Sequence, residues 1–243
     1  MKAVILAAGM ASRLRPLTEN TPKCLLKIGE RSLLQRSIDA LIGAGITQFV
    51  IVTGYLREQI EQFVAQQYPD LDVKFIYNEV YDSTNNIYSL WLARPEADGE
   101  EILLLDSDLL YDPEIAKRVL AADDANLLTL IKHPLGEEEV KVIVDVQGAI
   151  VEINKTCNPA DAIGESLGIE KMGAAYTTAI YKELEVMMNK EQLVDVFYER
   201  AFERLIAQGH TFKVLDVTDL FSCELDTVED FENARQKVPA HLF

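Results

Sequence analysis

Short apolar runs alternate with amphipathic segments along the first 135 residues of the chain. Five of these runs have the length and composition of buried strands, at 3–6, 49–52, 73–77, 101–105 and 127–131. Between the first three runs, apolar residues recur at helical spacing, and Ser32 is a suitable N-cap for the first helix. This order predicts a Rossmann-like, doubly wound α/β fold with a mixed, mainly parallel sheet, whose strands end along one ligand-binding edge.

The pattern changes after residue 137. Residues 141–145 and 150–153 read as an antiparallel hairpin, a polar loop follows it, and two helices come next at about 177–189 and 194–208. A strand at 212–217 precedes a last helix that begins after Thr227. We therefore predict a single domain over 1–243, with a core of about 1–135 and 210–243 and a small hairpin-and-helix lid of about 136–209.

Charge and composition narrow the choice of partners. The 243 residues include 40 Asp and Glu against 23 Lys and Arg, which gives a formal net charge of −17 and argues against a nucleic-acid polymer as partner. A mononucleotide remains compatible, because a few local cations and a metal ion suffice to bind it. The three widely spaced cysteines indicate free thiols in a reducing compartment. The chain has neither a long apolar run nor a signal-like N-terminus, so we expect a cytoplasmic protein without a membrane partner.

The loop after the first strand combines small residues with cations. Ala7, Ala8 and Gly9 allow backbone N–H groups to approach a ligand closely, and Arg13 and Lys23 follow within the same loop. Peptide N–H groups and cations at the carboxyl end of a strand are a typical arrangement for binding phosphates. An ordinary strand and loop with solvated charges is the alternative.

Polar side chains also follow the third and fourth strands. Asn78 ends the third strand, and the adjacent amides Asn85 and Asn86 begin a helix that Ser83 or Thr84 could cap. Their paired donors and acceptors suit a base edge or a sugar hydroxyl, although capping of the helix is the plain alternative.

Two carboxylates, Asp106 and Asp108, follow the fourth strand directly, and strand alternation would point both side chains the same way. They are candidates for holding Mg²⁺, with capping of the loop as the alternative reading. Asp226 lies just outside a predicted acidic capping box of Thr227 and Asp230, which leaves its carboxylate available.

These residues carry a family resemblance that extends over the whole chain. The stretch from Leu6 to Thr18, LAAGMASRLRPLT, together with Pro22 and Lys23, resembles the signature of sugar-phosphate nucleotidyltransferases. The stretches PKCLL and TNNIYSL resemble the choline-phosphate and aminoalkylphosphonate cytidylyltransferases within that family. The sequence departs from the family pattern at Ala11, where a glycine is usual.

The resemblance implies a fold of the nucleotide-diphospho-sugar transferase type and a reaction that transfers CMP from CTP to a small phosphorylated or phosphonate acceptor and releases pyrophosphate. The alternative is a hexose-1-phosphate uridylyl- or thymidylyltransferase. The implied acceptors are of the phosphocholine or 2-aminoethylphosphonate type, and a homodimer is compatible with the family.

The resemblance also implies a role for each candidate residue. Arg13 and Lys23 are expected to be catalytic, and Asp108 and Asp226 to hold Mg²⁺. The nucleotide would contact Leu6, Ala7, Ala8, Gly9, Asn78, Asn85 and Asp106. The acceptor would contact Asn86, Lys155 and Glu165, the last two within the predicted lid.

Overall fold

The computed structural model of the chain describes residues 1–242. Its strands are β1 Lys2–Ala7, β2 Lys27–Ile28, β3 Arg31–Ser32, β4 Gln48–Thr53, β5 Asp72–Tyr77, β6 Ile102–Asp106, β7 Leu109–Tyr111, β8 Leu127–Ile131, β9 Lys141–Val144, β10 Ile150–Asn154, β11 Gly164–Met172, β12 Lys213–Asp216 and β13 Ser222–Glu224. Its α-helices are α1 Leu33–Gly43, α2 Arg57–Gln67, α3 Asn86–Leu92, α4 Arg94–Ala97, α5 Glu114–Ala121, α6 Ala174–Asn189, α7 Glu199–Ile206 and α8 Val228–Lys237. Short 3₁₀ turns lie at Ser12–Leu14, Lys23–Leu25 and Ala240–Leu242.

One nine-stranded sheet forms the centre of the molecule. Its order is β10-β9-β11-β6-β1-β4-β5, and β8 pairs with both β11 and β12. β6, β1, β4 and β5 are parallel, and β12 is parallel to β8. β11 is antiparallel to β6, β8 and β9, and β10 is antiparallel to β9, so β10 and β11 alone oppose the common strand direction in this sheet. The predicted α/β class with a mixed, mainly parallel sheet is confirmed.

Side-chain alternation along β1 divides the core into two layers. Val4 and Leu6 pack on one face of the sheet with residues of α3, α6 and α7. Ala3 and Ile5 pack on the other face with residues of α1, α2 and α5. Because both faces are covered, the strand is apolar throughout, which is why its sequence was recognisable.

The strand ends meet along one edge, as the sequence predicted. Leu6 is paired with Asp106, Ala7 with Thr53, and Thr53 with Tyr77. The loops that leave β1, β4, β5 and β6 therefore begin side by side at the carboxyl edge of the sheet, which is the edge where open α/β sheets bind ligands.

Strand β11 was missed from the sequence, which indicated a loop leading into 168–172. Its Glu170 and Lys171 are charged but buried, with 0% and 9% exposure, so the run does not read as an apolar core strand. Their polar atoms are satisfied locally, since the Lys171 ammonium donates to the Ala122 carbonyl and a Glu170 oxygen accepts from the Ser166 hydroxyl. β11 lies within the range predicted as a lid, yet it pairs with β6 in the central sheet.

The helix predicted at 194–208 is shorter than expected, since α7 begins only at Glu199. The preceding segment is irregular and packs against α3, where Asn85 N–H donates to the Val194 carbonyl and Tyr198 N–H donates to Asn86 Oδ1. Among the described residues, no helix combines the length and the apolar character that a membrane crossing requires.

Candidate active site

The loop from Ala8 to Lys23 is held by the loop that follows β4. Tyr55 N–H donates to the Ala8 carbonyl at 3.0 Å, and a Cβ on Gly54 would lie 2.5 Å from the same carbonyl oxygen, so this approach requires glycine. Ala11 has a φ of 46°, in the left-handed region. This conformation costs a non-glycine residue about 1–2 kcal/mol, which gives a physical reason for the glycine that the family usually has there.

Lys23 lies between two carboxylates that are far apart in the sequence. Its Nζ is 2.8 Å from Asp108 Oδ2 and 2.7 Å from Asp226 Oδ1, and its side chain is 11% exposed. Burial alone lowers the pKa of Lys23, but Asp108 and Asp226 outweigh that effect and hold the pKa well above its usual value. The lysine is therefore a fixed, fully charged cation at the centre of the site.

Arg13 reaches the same carboxylate from the solvent side. One guanidinium nitrogen of Arg13 lies 2.7 Å from Asp226 Oδ2, and the arginine side chain is 61% exposed. Burial favours the neutral form of Asp226, yet Lys23 and Arg13 together hold its pKa below the ordinary value. The predicted group of Arg13, Lys23, Asp108 and Asp226 is thus brought together, with the positive charges on the first loop.

Glu224 is a third carboxylate at this point, and the sequence reasoning missed it. Oxygen atoms of Asp108, Glu224 and Asp226 all lie within 4.8 Å of one another. Desolvation within the cavity and the neighbouring carboxylates Asp108 and Asp226 raise the pKa of Glu224 above its ordinary value, although the residue itself is exposed. Glu224 precedes Asp226 by two residues, the same spacing that drew attention to Asp106 and Asp108, so the signal was present in the sequence.

Asp106 and Asp108 have different hydrogen-bond partners, Tyr198 for Asp106 and Lys23 for Asp108. β6 ends at Asp106, and the chain then turns, so the expected strand alternation does not continue to Asp108. Asp106 Oδ2 accepts from the Tyr198 hydroxyl at 2.8 Å. A Cβ on Gly168 would lie 2.8 Å from the same Oδ2 oxygen, so β11 must carry glycine where it passes this side chain.

An acidic interior lies behind Asp106. Burial raises the pKa of both Asp106 and Glu170 well above the ordinary values, and nearby carboxylates add to the effect. Burial raises the pKa of Glu199 to about 7. From the sequence, Glu170 and Glu199 are among the lid residues that could surround a cationic head group, with solvated helix charges as the alternative. The fold buries both, because it brings β11 and α7 next to β6.

Asn78 and Asn85 already form hydrogen bonds within the protein. Asn78 is 1% exposed, its Nδ2 donates to the Thr84 and Ser89 hydroxyls, and its Oδ1 accepts from Val80 N–H. Asn85, rather than Ser83 or Thr84, is the N-cap of α3 and accepts from Asn86 N–H. The capping alternative is therefore realised at Asn85.

Lys155 and Glu165 lie on the side of the site formed by the hairpin. Lys155 Nζ is 4.7 Å from the centre of the Phe197 ring and 3.6 Å from Glu138 Oε2. Glu165 Oε2 is 2.6 Å from His133 Nε2. The buried Lys141 ammonium donates to the Lys155 carbonyl at 2.7 Å and to the Glu139 carbonyl at 3.2 Å, which ties two loops of this side together.

One cavity of about 710 Å³ lies at the carboxyl edge of the sheet. Every residue predicted to lie in the site is among its lining residues, namely Leu6, Ala7, Ala8, Gly9, Arg13, Lys23, Asn78, Asn85, Asn86, Asp106, Asp108, Lys155, Glu165 and Asp226. The lining residues that the predicted site lacked include Tyr81, His133, Phe197, Glu199 and Glu224. The cavity has room for a nucleotide and a small second molecule.

Comparison with known proteins identifies the family. The pattern of the MobA-like NTP transferase domain matches residues 3–154, which is more than half of the chain. The chain belongs to this family. As a member of this family, the protein is a nucleotidyltransferase. The matched segment runs from β1 to β10 and includes both the first loop and the hairpin.

Relatives of this NTP transferase confirm the resemblance found in the sequence. It is 24% identical to a CTP:phosphoglutamine cytidylyltransferase of Campylobacter jejuni over 96% of this chain and 98% of that protein. It is 39% identical to a choline-phosphate cytidylyltransferase of Streptococcus pneumoniae over 45% of this chain and 46% of that protein. It is also 27% identical to a CMP-5'-(3-aminopropyl)phosphonate synthase of Streptomyces rubellomurinus over 96% of this chain, but the match spans only 38% of the synthase.

Solved structures confirm the fold. The CTP:phosphocholine cytidylyltransferase from Streptococcus pneumoniae superimposes with a TM-score of 0.82 at 23% identity, covering 98% of this chain and 99% of that one. A UDP-glucose pyrophosphorylase superimposes with a TM-score of 0.80 at 15% identity, covering 97% of each chain. This NTP transferase therefore has the fold of both nucleotidyltransferases.

Proposed function

We propose that this NTP transferase is a Mg²⁺-dependent cytidylyltransferase that transfers CMP from CTP to a small phosphorylated or phosphonate acceptor and releases pyrophosphate. The observation that carries the proposal is the convergence of Arg13 and Lys23 from the first loop on Asp108 and Asp226 at the carboxyl edge of the sheet. Cytidylyltransferases among the relatives, one of them matched over nearly its full length, support CTP as the nucleotide.

The carboxylate group fits a divalent cation. Asp108 Oδ1 is buried and has no hydrogen-bond partner among the described residues, and oxygens of Glu224 and Asp226 lie within 4.8 Å of an oxygen of Asp108. Hard oxygen ligands of this kind suit Mg²⁺, so we assign Asp108 and Asp226 as its ligands, with Glu224 beside them. When bound, Mg²⁺ would neutralise charge on the triphosphate.

The first loop is the proposed triphosphate site. Arg13, which is largely exposed at the cavity mouth, would hold the leaving β- and γ-phosphates, and Lys23 would stabilise charge on the α-phosphate. The backbone from Leu6 to Gly9 would contact the nucleotide, with Asp106 beside the ribose. Asn85 Nδ2 would read the base, while Asn78 would order the loop that leads to Asn85, because its own amide is already hydrogen-bonded.

The hairpin side of the cavity is the proposed acceptor site. Lys155 would bind the acceptor phosphate or phosphonate, and Glu165 and Asn86 would contact the rest of the molecule. An oxygen of the acceptor then forms a bond to the α-phosphorus of CTP. The bond from that phosphorus to the oxygen bridging to the β-phosphate breaks, and pyrophosphate leaves with the electron pair. The chain's part in this step is to align two anions and to offset their repulsion.

A pyrophosphate-release assay with Mg²⁺ tests the proposal as a matrix of nucleotides and acceptors. CTP, UTP, dTTP and GTP are each combined with phosphocholine, 2-aminoethylphosphonate, phosphoethanolamine and several sugar 1-phosphates. The proposal predicts release with CTP and an amino-alcohol phosphate or phosphonate. Release confined to sugar 1-phosphates with UTP or dTTP would instead identify a hexose-1-phosphate nucleotidyltransferase.

A further inference from the structure

An unused carboxylate lies on the wall of the cavity near Lys155. Glu199 is the first residue of α7, is 8% exposed and lines the cavity. Its Oε2 is buried and has no hydrogen-bond partner among the described residues. A buried carboxylate oxygen without a donor costs stability, so its retention on a cavity wall indicates a donor that arrives with a ligand.

The surroundings of Glu199 call for a cation rather than a neutral donor. Glu170 on β11 and Asp106, which accepts from the Tyr198 hydroxyl, both interact electrostatically with Glu199. Lys155 is the cation that acts on Glu199, but no hydrogen bond joins the two, and Lys155 contacts Glu138 and the Phe197 ring instead. Acids therefore outnumber cations in this part of the cavity, and a cationic ligand beside Glu199 would favour its ionised form.

The aromatic side chains that line the cavity do not form an aromatic cage around a site for a cation. Among the described residues, Tyr81 and Phe197 are the Tyr and Phe side chains that line the cavity. Phe197 has Lys155 Nζ 4.7 Å from its ring centre, and Tyr81 packs against Tyr55 with ring centres 6.2 Å apart. Tyr198 is fully buried against Phe202, 5.3 Å between ring centres. Recognition by aromatic faces, the usual means of holding a quaternary ammonium, is thus poorly provided for.

We propose that Glu199 accepts a hydrogen bond from an N–H-bearing ammonium of the acceptor, and that the enzyme therefore prefers a primary or secondary amine to a quaternary one. The inference rests on the proposed function and specifies its acceptor class: a zwitterion with a phosphate or phosphonate at one end and an alkylammonium at the other. Lys155 binds the anionic end and Glu199 the cationic end. A trimethylammonium group has no N–H and leaves Glu199 without its donor.

A methylation series of acceptors tests this inference with the wild-type protein alone. Binding to the free protein is measured calorimetrically for phosphoethanolamine, its N-methyl and N,N-dimethyl derivatives and phosphocholine, with propyl phosphate as the analogue that lacks the ammonium group. All the amines but phosphocholine keep at least one N–H when protonated. We expect the largest loss of affinity at the last methylation, about 10- to 100-fold, since a charge-assisted hydrogen bond is lost there. Equal or tighter binding of phosphocholine would overturn the inference.

A pair of variants assigns the effect to Glu199. Glu199→Gln should reduce the loss at the last methylation to about threefold or less, because the amide no longer provides the charge of this hydrogen bond. Glu79→Gln, an exposed change in the loop after β5, should leave the loss at its wild-type size. An undiminished loss in Glu199→Gln would assign the preference elsewhere.

Turnover with CTP separates this inference from the proposed function. If pyrophosphate is released with none of the acceptors while the binding series still falls at the last methylation, the proposed reaction is wrong and the ammonium site stands. If CMP is transferred but phosphocholine is the better acceptor, the reaction stands and the ammonium site is wrong.

Discussion

The Lys23 ammonium lies 2.7 Å from Asp226 Oδ1, although 203 residues separate the two in the sequence. Asp226 immediately precedes the N-cap of α8, where Thr227 and Asp230 form a complete capping box. The contact therefore joins the loop after the first strand to the start of the last helix. It fixes the carboxylate on one side by helix capping and the cation on the other by burial, so the charges of the site are positioned before any ligand binds.

Replacing Lys23 should abolish most of the activity without unfolding the protein. Lys23→Met removes the proposed stabilisation of the α-phosphate, and we expect kcat to fall by about 10²- to 10³-fold or more, as when a preorganised charge donor is removed. Steady-state kinetics of pyrophosphate release measure the effect, and circular dichroism monitors the fold. Lys27→Met, an exposed change in β2, is the matched control. Near-wild-type turnover of Lys23→Met would contradict the assigned role.

The carboxylate group should bind Mg²⁺. Asp108→Asn and Asp226→Asn remove proposed ligands, so each should weaken Mg²⁺ binding by about 10-fold or more, and Glu224→Gln should weaken it less. Calorimetric titration of Mg²⁺ into the protein with CTP measures this. Asp124→Asn, an exposed change before β8, should have no effect. If Mg²⁺ binding is unchanged in both Asp108→Asn and Asp226→Asn, these carboxylates are not its ligands.

Gly168 should be intolerant of a side chain for two separable reasons. It has a φ of +77°, and an added Cβ would lie 2.8 Å from Asp106 Oδ2. Gly148 has a φ of +74° with open space around it, so Gly148→Ala isolates the conformational cost of about 1–2 kcal/mol. We expect Gly168→Ala to lower the free energy of unfolding, measured in urea, by about 1–3 kcal/mol more than Gly148→Ala does, as for overpacking. Equal losses would show that Asp106 moves away without cost.

Stability should fall as the pH rises, because of the buried acids. The folded-state pKa of Glu199 is about 7 against an ordinary 4.5, so the folded protein binds this proton more tightly than the unfolded chain does. The stabilisation is complete below about pH 4.5 and is lost as the pH rises through 7. At about 1.4 kcal/mol per pKa unit, Glu199 accounts for up to about 3 kcal/mol.

Glu199→Gln isolates that contribution, since Asp106 and Glu170 have pKa values raised in the same direction and remain in both proteins. In urea unfolding without metal, the stability of the variant relative to wild type should be greater at pH 8 than at pH 5. The same difference at both pH values would show that Glu199 does not titrate in this range.

The parts of the fold and site that the sequence predicted are those with local signals. The run at 3–6 is apolar because both of its faces are covered, and the small residues and cations after it follow directly along the chain. The sequence identifies Asp108 and Asp226 as candidate site residues, but it does not predict that each contacts Lys23. The 2.8 and 2.7 Å contacts depend on the strand order and on the position of α8.

The parts that were missed depend on burial of charge. Glu170 and Lys171 disguise β11 as a polar segment, and their burial is possible only because Tyr198, Ser166 and the Ala122 carbonyl lie next to them in the folded protein. The sequence leaves Glu199 open between a solvated helix charge and a residue near a cationic head group, and only the packing of α7 beside β11 shows that it is buried. No periodic sequence pattern marks such buried charges, because the groups that hydrogen-bond to them come from elements that are distant in the sequence.

The most direct test of cytidylyl transfer is ³¹P NMR of the purified protein with CTP, Mg²⁺ and 2-aminoethylphosphonate. The proposed reaction predicts that the phosphonate signal and the CTP signals decline together while pyrophosphate and a coupled pair of resonances from a new phosphonate–phosphate anhydride appear. Lys23→Met should form neither product at a comparable rate. The proposed cytidylyl transfer would be contradicted if CTP stays intact with this acceptor and with phosphoethanolamine and phosphocholine, while a sugar 1-phosphate reacts with UTP or dTTP.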